Sequence, residues 1–325
     1  MDAGGTASWV GSIRKDACRF KGCWIELKGR YSRFNMDQKM PPHAYHLTRP
    51  AQPTTPVIFS SPHSGRDYDP QFLRQSVLDM RAIRSSEDAF VDQLFAAAPD
   101  HGAPLLAARA PRAFIDLNRA PDELDPSVIE GIARAPHNPR ISSGLGVIPR
   151  VVAAGQSIYR GKMPLAEAEK RIRNYWHPYH DMLRKLLDET QHRFGEAVLI
   201  DCHSMPHEAI EAHGRAGRPL PEVVLGDRFG AAASADVMDL VEAAFAGVGL
   251  RVVRNAPFAG AYIAQTYGRP SRNQHVVQVE IDRALYMDEA AIAPRADFQI
   301  FREVMAEVVG EIAAFGKSTL PLAAE

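Results

Sequence analysis

Short apolar blocks recur along most of this chain, and their period alternates between that of a strand and that of a helix. Val57–Ser60, Leu105–Arg109, Ala113–Leu117, Ala197–Ile200, Leu250–Arg254 and Val276–Ile281 are aliphatic runs bounded by turn formers, and they predict strands. Between them, Glu87–Ala98, Ala231–Phe245 and Asp297–Phe315 predict helices. Ser85 or Ser86 would cap the first, and acids in its opening turn suit the helix dipole. The clearest periodicity lies in Pro164–Phe194, where Ile172, Trp176, Tyr179, Leu183, Leu186 and Leu187 recur at helical spacing. Pro178 falls inside that stretch and predicts a kink or a break, because proline lacks an N–H and its ring clashes with the preceding turn. Strands alternating with helices predict an α/β fold, a single domain with a mixed, mostly parallel sheet between helices. Residues 120–160 are rich in Gly and Pro with little periodicity. So long a loop predicts a cover over a site.

Ligands in such sheets bind beyond the carboxyl ends of strands, and the polar residues there are informative. Ser60-Ser-Pro-His63-Ser-Gly65 follows Val57-Ile-Phe59, and Asp201-Cys-His203-Ser-Met205 follows Val198-Leu-Ile200. Glu280 is a lone carboxylate in an otherwise apolar strand, where charge is costly unless paired or bound to a metal. Two histidines, an acid and a nearby base form the donor set of a catalytic zinc site. His63 and His203 are therefore candidate ligands. Arg66 stands where a His-x-x-Glu motif would place its glutamate. The third ligand is then expected from Glu87 or Asp88, with Asp88 preferred, although either acid equally suits the dipole of the predicted helix. Glu280 is the candidate general base; the competing reading is an edge-strand carboxylate facing solvent. Arg112 and Arg119 flank Phe114-Ile-Asp-Leu-Asn118, and their planar forks suit substrate carboxylates or a scissile carbonyl. An Asp116–Arg119 structural pair competes with that role. His177, His180 and His192 read as surface or packing residues of the long helix, His137, His207 and His213 as loop residues without a role, and Cys202 as a buried, inert thiol.

Composition narrows the picture. With 325 residues and 46% hydrophobic content, the chain can bury one large core or two modest ones. A formal net charge of -1 argues against general affinity for nucleic acid or acidic membranes. No run of about 18 apolar residues predicts a membrane span, and there is no secretory h-region. Three cysteines do not make a disulfide framework. A cytoplasmic protein is expected. Residues 1–45 differ from the rest, being Gly-rich and basic, and Cys18 and Cys23 find nothing nearby to complete a zinc finger. They read as a disordered extension or a start assigned too early, with a basic targeting peptide as the alternative; residues 46–325 form the expected catalytic domain.

Taken in order, several motifs resemble the N-formylglutamate amidohydrolase (N-formylglutamate deformylase) family over about residues 55–290. They are Ser61-Pro-His63-Ser-Gly65, Ser86-Glu-Asp88-Ala-Phe-Val-Asp92, Asp116-Leu-Asn-Arg119, His177-Pro-Tyr-His180 and Asp201-Cys-His203-Ser204. Tyr267-Gly-Arg-Pro270, Gln278-Val-Glu280 and Leu285-Tyr-Met-Asp-Glu289 complete the series. The resemblance implies a zinc exopeptidase-like fold related in architecture to zinc carboxypeptidases. It implies Zn2+ held by His63, Asp88 and His203, although the same donors suit other divalent transition metals. Glu280 would be the base and Arg119 a second catalytic group, with Arg112, Arg119, Asn118 and Tyr262 binding substrate. The implied reaction converts N-formyl-L-glutamate and water to formate and L-glutamate, as in histidine breakdown, on a small molecule without nucleic-acid or membrane partners. A related amidase or peptidase acting on another N-acyl amino acid or small peptide is the alternative, and a non-catalytic binding protein the more distant one. The histidine-pathway deformylases of the family tend to read Asp-Thr-Asp-Trp-His where this chain has Ser86-Glu-Asp88-Ala-Phe90. They also tend to carry His and Arg near Tyr262 and Gln265, and to be uncharged at Arg283. The resemblance thus bears more firmly on the chemistry than on the substrate.

Overall fold

The valine- and leucine-rich runs assemble into a seven-stranded mixed sheet in a computed structural model that describes residues 24–27, 30–33, 44–133, 138–212 and 219–316. The expected extension lies largely outside these residues, as do Cys18, Cys23, His137 and His213. Residues 1–42 form a separate unit, of which one antiparallel pair is described, β1 (Trp24–Leu27) with β2 (Arg30–Arg33).

The sheet contains β3 (Tyr45–Thr48), β4 (Val57–Ser61), β5 (Leu105–Ala108), β6 (Ala197–Met205), β7 (Val223–Gly226), β8 (Val252–Arg254) and β9 (Gln274–Asp282). Their spatial order is β3-β5-β4-β6-β9-β7-β8. The central pairings β5/β4, β4/β6 and β6/β9 are parallel, as is β7/β8, while β3/β5 and β7/β9 are antiparallel. Strands covered on both faces read as continuous apolar runs, and this is why β4, β6 and β9 stand out in the sequence. On one face Phe59, Ile200, Val277 and Val279 pack against helices Val91–Leu94, Ala235–Gly247 and Phe298–Ala313. On the other, Ile58, Leu106, Leu199 and Val276 meet the long helix over residues 165–194. Each such fully buried aliphatic side chain contributes about 1.5–3 kcal/mol. Among the described residues, no helix is long and apolar enough to cross a membrane.

Successive strand side chains point to opposite faces, and on the long-helix face the character changes along each strand. Ala197 and Leu199 give way to Asp201 and His203; Val276 gives way to Gln278 and Glu280. The expected strands therefore extend further than the apolar runs. β6 continues to Met205 and β9 to Asp282, so His203 lies within a strand rather than beyond one.

Three expectations change. Glu87–Ala98 is helical only at Val91–Leu94, followed by a 3-10 turn at Ala98–His101. Asp88 precedes the helix because its N–H donates to the carbonyl of His63 at 3.0 Å, and Phe90 takes a left-handed φ of 66° that ends the turn. Residues 113–117 form no strand: the N–H groups of Phe114 and Ile115 return to Pro111 O, and that of Asp116 goes to Val147 O. The long helix does not break at Pro178. It runs through Leu165–Arg171, a π turn at Ile172–Trp176, and His177–Phe194. The wider turn accommodates the missing proline N–H just upstream. Two side chains of this helix hold the 116–119 segment from behind. Trp176 Nε1 donates to Arg119 O at 2.9 Å, and His180 Nε2 donates to Leu117 O at 2.8 Å. Burial depresses the His180 pKa to about 3, so this ring is neutral.

The turn that carries His63 passes so close to the chain after β5 that it needs a glycine. A Cβ on Gly65 would lie 2.1 Å from Ala110 O. Gly65→Ala is expected to destabilise the protein by about 1–3 kcal/mol, in line with overpacking elsewhere. Urea unfolding measures this, and an unchanged midpoint would contradict the close approach.

Candidate active site

β4, β6 and β9 bring the polar ends together at one edge of the buried sheet. Their parallel register sets Ser60 beside Asp201, and His203 beside Glu280. The 61–65 turn carries His63 back over this edge, and the His63–Asp88 backbone bond holds Asp88 against it. Donor atoms of His63, Asp88 and His203 all lie within 4.8 Å of one another, and the three residues are buried. The two imidazole rings meet edge to face at 4.8 Å between centroids.

Each histidine is flanked by carboxylates in the same manner. His63 Nε2 donates to Asp116 Oδ1 at 2.7 Å, while Nδ1 faces Asp88 Oδ2 at 3.4 Å. His203 Nε2 lies 3.0 Å from Asp201 Oδ2, and Nδ1 lies 3.0 Å from the same Asp88 Oδ2. Both Nδ1 atoms thus converge on one carboxylate oxygen, and each Nε2 has a carboxylate behind it. This is the arrangement that orients imidazoles toward a metal. One observation tests the fit. His63 Nδ1 is buried without a hydrogen-bond partner. With its proton committed to Asp116, this nitrogen presents a lone pair toward Asp88, an arrangement that a cation between them relieves. The three residues are able to hold a divalent metal, and the donor set of two nitrogens and one oxygen suits zinc among others.

Charge at the site is strongly coupled. Burial alone would raise the pKa values of Asp88 and Asp116. The hydrogen bond from His203 outweighs it at Asp88, and the hydrogen bond from His63 with the charges of Arg112 and Arg119 outweighs it at Asp116; both carboxyls sit well below their ordinary range. Burial would depress His203, but Asp201 and Asp88 carry it well above 6.5. Glu280 is pushed up to about 7 by burial, with Asp88 adding to the shift and His203 and Arg112 opposing it. Gln278 Nε2 donates to Glu280 Oε1 at 2.8 Å, and Gln278 is itself fixed because its Oε1 accepts from Ala261 N at 2.9 Å.

The site opens into a cavity of about 460 Å3. Its lining includes Arg112, Arg119, Arg140, Glu280 and Arg283, and residues of the 120–160 loop form one wall as expected. Arg112 donates to Asp116 Oδ2 at 3.1 Å, so the structural pair expected between Asp116 and Arg119 forms with Arg112 instead. Arg119 is buried and bonds the backbone carbonyls of Leu145 and Asn118. Asn118 reaches the site, but its amide is committed. Nδ2 contacts Asp201 and His203, and Oδ1 accepts from Ile263 N at 2.8 Å. It orients neighbours rather than offering a free group to substrate. Tyr262 is not brought into the cavity lining; its ring packs near Trp176 and His180. Glu87 points elsewhere, bonded to Arg84 and Tyr68. A larger groove of about 710 Å3 beside helices Ala235–Gly247 and Phe298–Ala313 gathers only His101, Glu307 and Glu311 as titratable groups.

Sequence reasoning passed over Asp201 and Asp116 as partners of the histidines, and over Arg140 and Gln278. Asp201 carried a usable signal, because it sits two residues before His203 and shares its strand face. Gln278 stands in the same relation to Glu280.

The N-formylglutamate amidohydrolase family model matches residues 55–287, a span containing every residue of the site. The chain belongs to this family. An N-formylglutamate deformylase from Pseudomonas aeruginosa is 32% identical over 268 residues, covering 81% of this chain and 94% of that protein. One from Pseudomonas putida is 31% identical over 237 residues, covering 72% of this chain and 82% of its own length. The crystal structure of N-formylglutamate amidohydrolase from Ralstonia eutropha JMP134 superposes with a TM-score of 0.79 at 34% identity, covering 85% of this chain and 99% of that one. The Agrobacterium tumefaciens gene product Atu2144, at 18% identity and a TM-score of 0.56, shares the fold.

For this amidohydrolase family member, the raised pKa values have a consequence for the metal-free protein. A group whose pKa is higher when folded contributes stability at low pH and loses it as pH rises through the folded value. Glu280 loses its contribution between 4.5 and about 7, and His203 loses its own above 6.5. Glu280 has therefore lost most of its contribution by pH 7, and chelator-treated protein should show a urea midpoint that falls from pH 7 to pH 9 through His203. A midpoint that stays level or rises would show that His203 is not held as described.

Proposed function

We propose that this chain hydrolyses the N-formyl amide of an acidic amino acid, N-formyl-L-glutamate, to formate and L-glutamate, in a metal-dependent reaction. The observation that carries the reading is the convergence of His63, Asp88 and His203, with the unpartnered His63 Nδ1, directly beside Glu280. Family membership and the deformylase relatives support the substrate. Zn2+ is the proposed metal. Such a cation supplies Lewis acidity to the carbonyl and acidifies water to near-neutral pKa.

The chain's own residues do the rest. Glu280, with its pKa near 7, is poised to accept a proton from the attacking water and deliver it to the leaving amine. Gln278 holds its carboxylate in place. Oxygen from water joins the formyl carbon, the C–N bond breaks, and the proton ends on the amino group of glutamate. Asp116 and Asp201 hold the Nε2 sides of the two histidines, keeping Nδ1 directed at the metal. Arg112 and Arg119 are the proposed partners of the substrate's charge, Arg119 also as a catalytic group near the carbonyl, with Arg140 added from the cavity lining. Burial disfavours the charge of Arg119, with Arg112 and Arg140 adding to the shift, and an acidic substrate relieves that repulsion.

Formate release from N-formyl-L-glutamate, assayed with and without chelator, tests the reading. Chelator-sensitive release restored by Zn2+ is expected; turnover that survives complete metal removal would overturn the metal dependence. N-acetyl-L-glutamate is the control for other acyl groups. Glu280→Gln should lower kcat by about 10²–10⁴-fold, the range of general-base contributions, while metal content stays stoichiometric. Near-normal turnover in that variant would remove Glu280 as the base. Arg140→Ala should raise KM for N-formyl-L-glutamate with kcat less affected; an unchanged KM would exclude it from substrate binding.

A further inference from the structure

Arg283 belongs to the lining of the same cavity. It follows β9 directly, in the 3-10 turn Arg283–Leu285, and its side chain is 6% exposed. The guanidinium is held on several sides. Nη2 donates to Asp88 Oδ1 at 3.0 Å, Nε donates to Ser204 Oγ at 3.2 Å, and Nη1 donates to Ser85 O at 3.4 Å. Glu289 lies 4.0 Å from Nη1. A buried arginine fixed in this way is a rigid fork rather than a free cation reaching for substrate.

The two oxygens of Asp88 are thereby given different tasks. Oδ1 faces Arg283, while Oδ2 faces both histidine Nδ1 atoms. A carboxylate with both oxygens free can bind a cation through either one or two atoms. We propose that Arg283 is a positioning residue that commits Asp88 Oδ1 and so makes Asp88 a single-atom donor to the metal. This rests on the metal-centre reading above and goes beyond it in setting the coordination number. Three single-atom protein donors leave the cavity side open for water and a substrate carbonyl. Two oxygens from Asp88 would fill one of those positions. Ser204 has a part in the device, because it takes the Nε–H and leaves Nη2 as the group that meets Asp88 Oδ1.

Cobalt(II) substitution reads this directly, since its visible d–d bands weaken as coordination rises from four to five or six. The full-length protein, Arg283→Lys and Arg283→Gln are each stripped of metal, reloaded with Co2+, and measured by absorption and by competition with a chromogenic chelator. The parent is expected to show stoichiometric binding and strong d–d bands. Arg283→Gln is expected to show weaker bands, because Asp88 is then free to bind through both oxygens. Arg283→Lys keeps the charge but not the fork, and is expected between the two. If the glutamine variant fails to fold, by near-ultraviolet circular dichroism, the lysine variant carries the test alone through the same spectral shift. Stoichiometric cobalt with spectra superimposable on the parent would overturn the role of Arg283 while leaving the metal centre intact. A parent that takes up no cobalt would overturn the metal-centre reading, and this inference with it.

Discussion

Everything around the site depends on the mutual neutralisation of buried charge. Asp88, Asp116, Asp201 and Glu280 are all withdrawn from water, and no one of them would be tolerable alone. His63 and His203 interleave with the three aspartates; Arg112 and Asn118 meet the two ends of this chain of contacts at Asp116 and Asp201, and Arg283 braces its middle at Asp88. Each group is acceptable because its neighbours are in place. The 61–65 turn, the 116–119 segment and the ends of β6 and β9 are therefore held by the same set of contacts that defines the chemistry. Glu280 is the exception in that its compensation is partial, and a carboxyl with a pKa near neutrality is what proton transfer at neutral pH needs.

The fold creates this cluster by a simple device. One face of the central sheet is apolar along the middle of its strands, with Ser61, Ser204 and His275 only at strand ends, while the opposite face changes from aliphatic to polar midway along β6 and β9. The aliphatic half anchors the long helix, and the polar half faces the cavity. Cys202 illustrates the separation. It is adjacent to His203 in sequence, yet alternation places it in the opposite core, where burial raises its pKa well above the usual thiol range. A cysteine beside a histidine of this cluster invites assignment as a metal ligand; here the strand geometry excludes it.

Much of this was legible in the sequence because strands buried on both faces leave strong apolar runs, and because histidines and a glutamate at their ends are conspicuous against that background. His63, Asp88 and His203 come together, and Glu280 borders the same cavity. What escaped detection has a common cause. The polar stretch Asp201–Met205 does not look like strand, since its burial is compensated by partners distant in sequence. The 113–117 run looks like strand, since Ile115 and Leu117 are buried, but its backbone bonds go to Pro111 and Val147. Asp88 was expected inside a helix because an acid after two serines resembles a capping sequence, whereas the bond from its N–H to His63 is a tertiary contact that no local pattern encodes. Tyr262 was expected at the substrate; its ring instead meets His180 edge to face within an aromatic cluster, a choice set by packing.

The π turn at Ile172–Trp176 links the back of the molecule to this chemistry through angular phase. A π turn accommodates one more residue than an α turn, and each residue in a helix advances the side-chain direction by about 100°. Trp176 and His180, which grip the carbonyls of Arg119 and Leu117, owe their heading to that extra residue. Trimming one residue from the turn would regularise the helix and leave its composition almost unchanged, yet it would swing both clamps off the segment bearing Asp116 and Asn118. The irregularity is thus a timing element: the helix is deliberately out of step with itself so that its second half arrives facing the site.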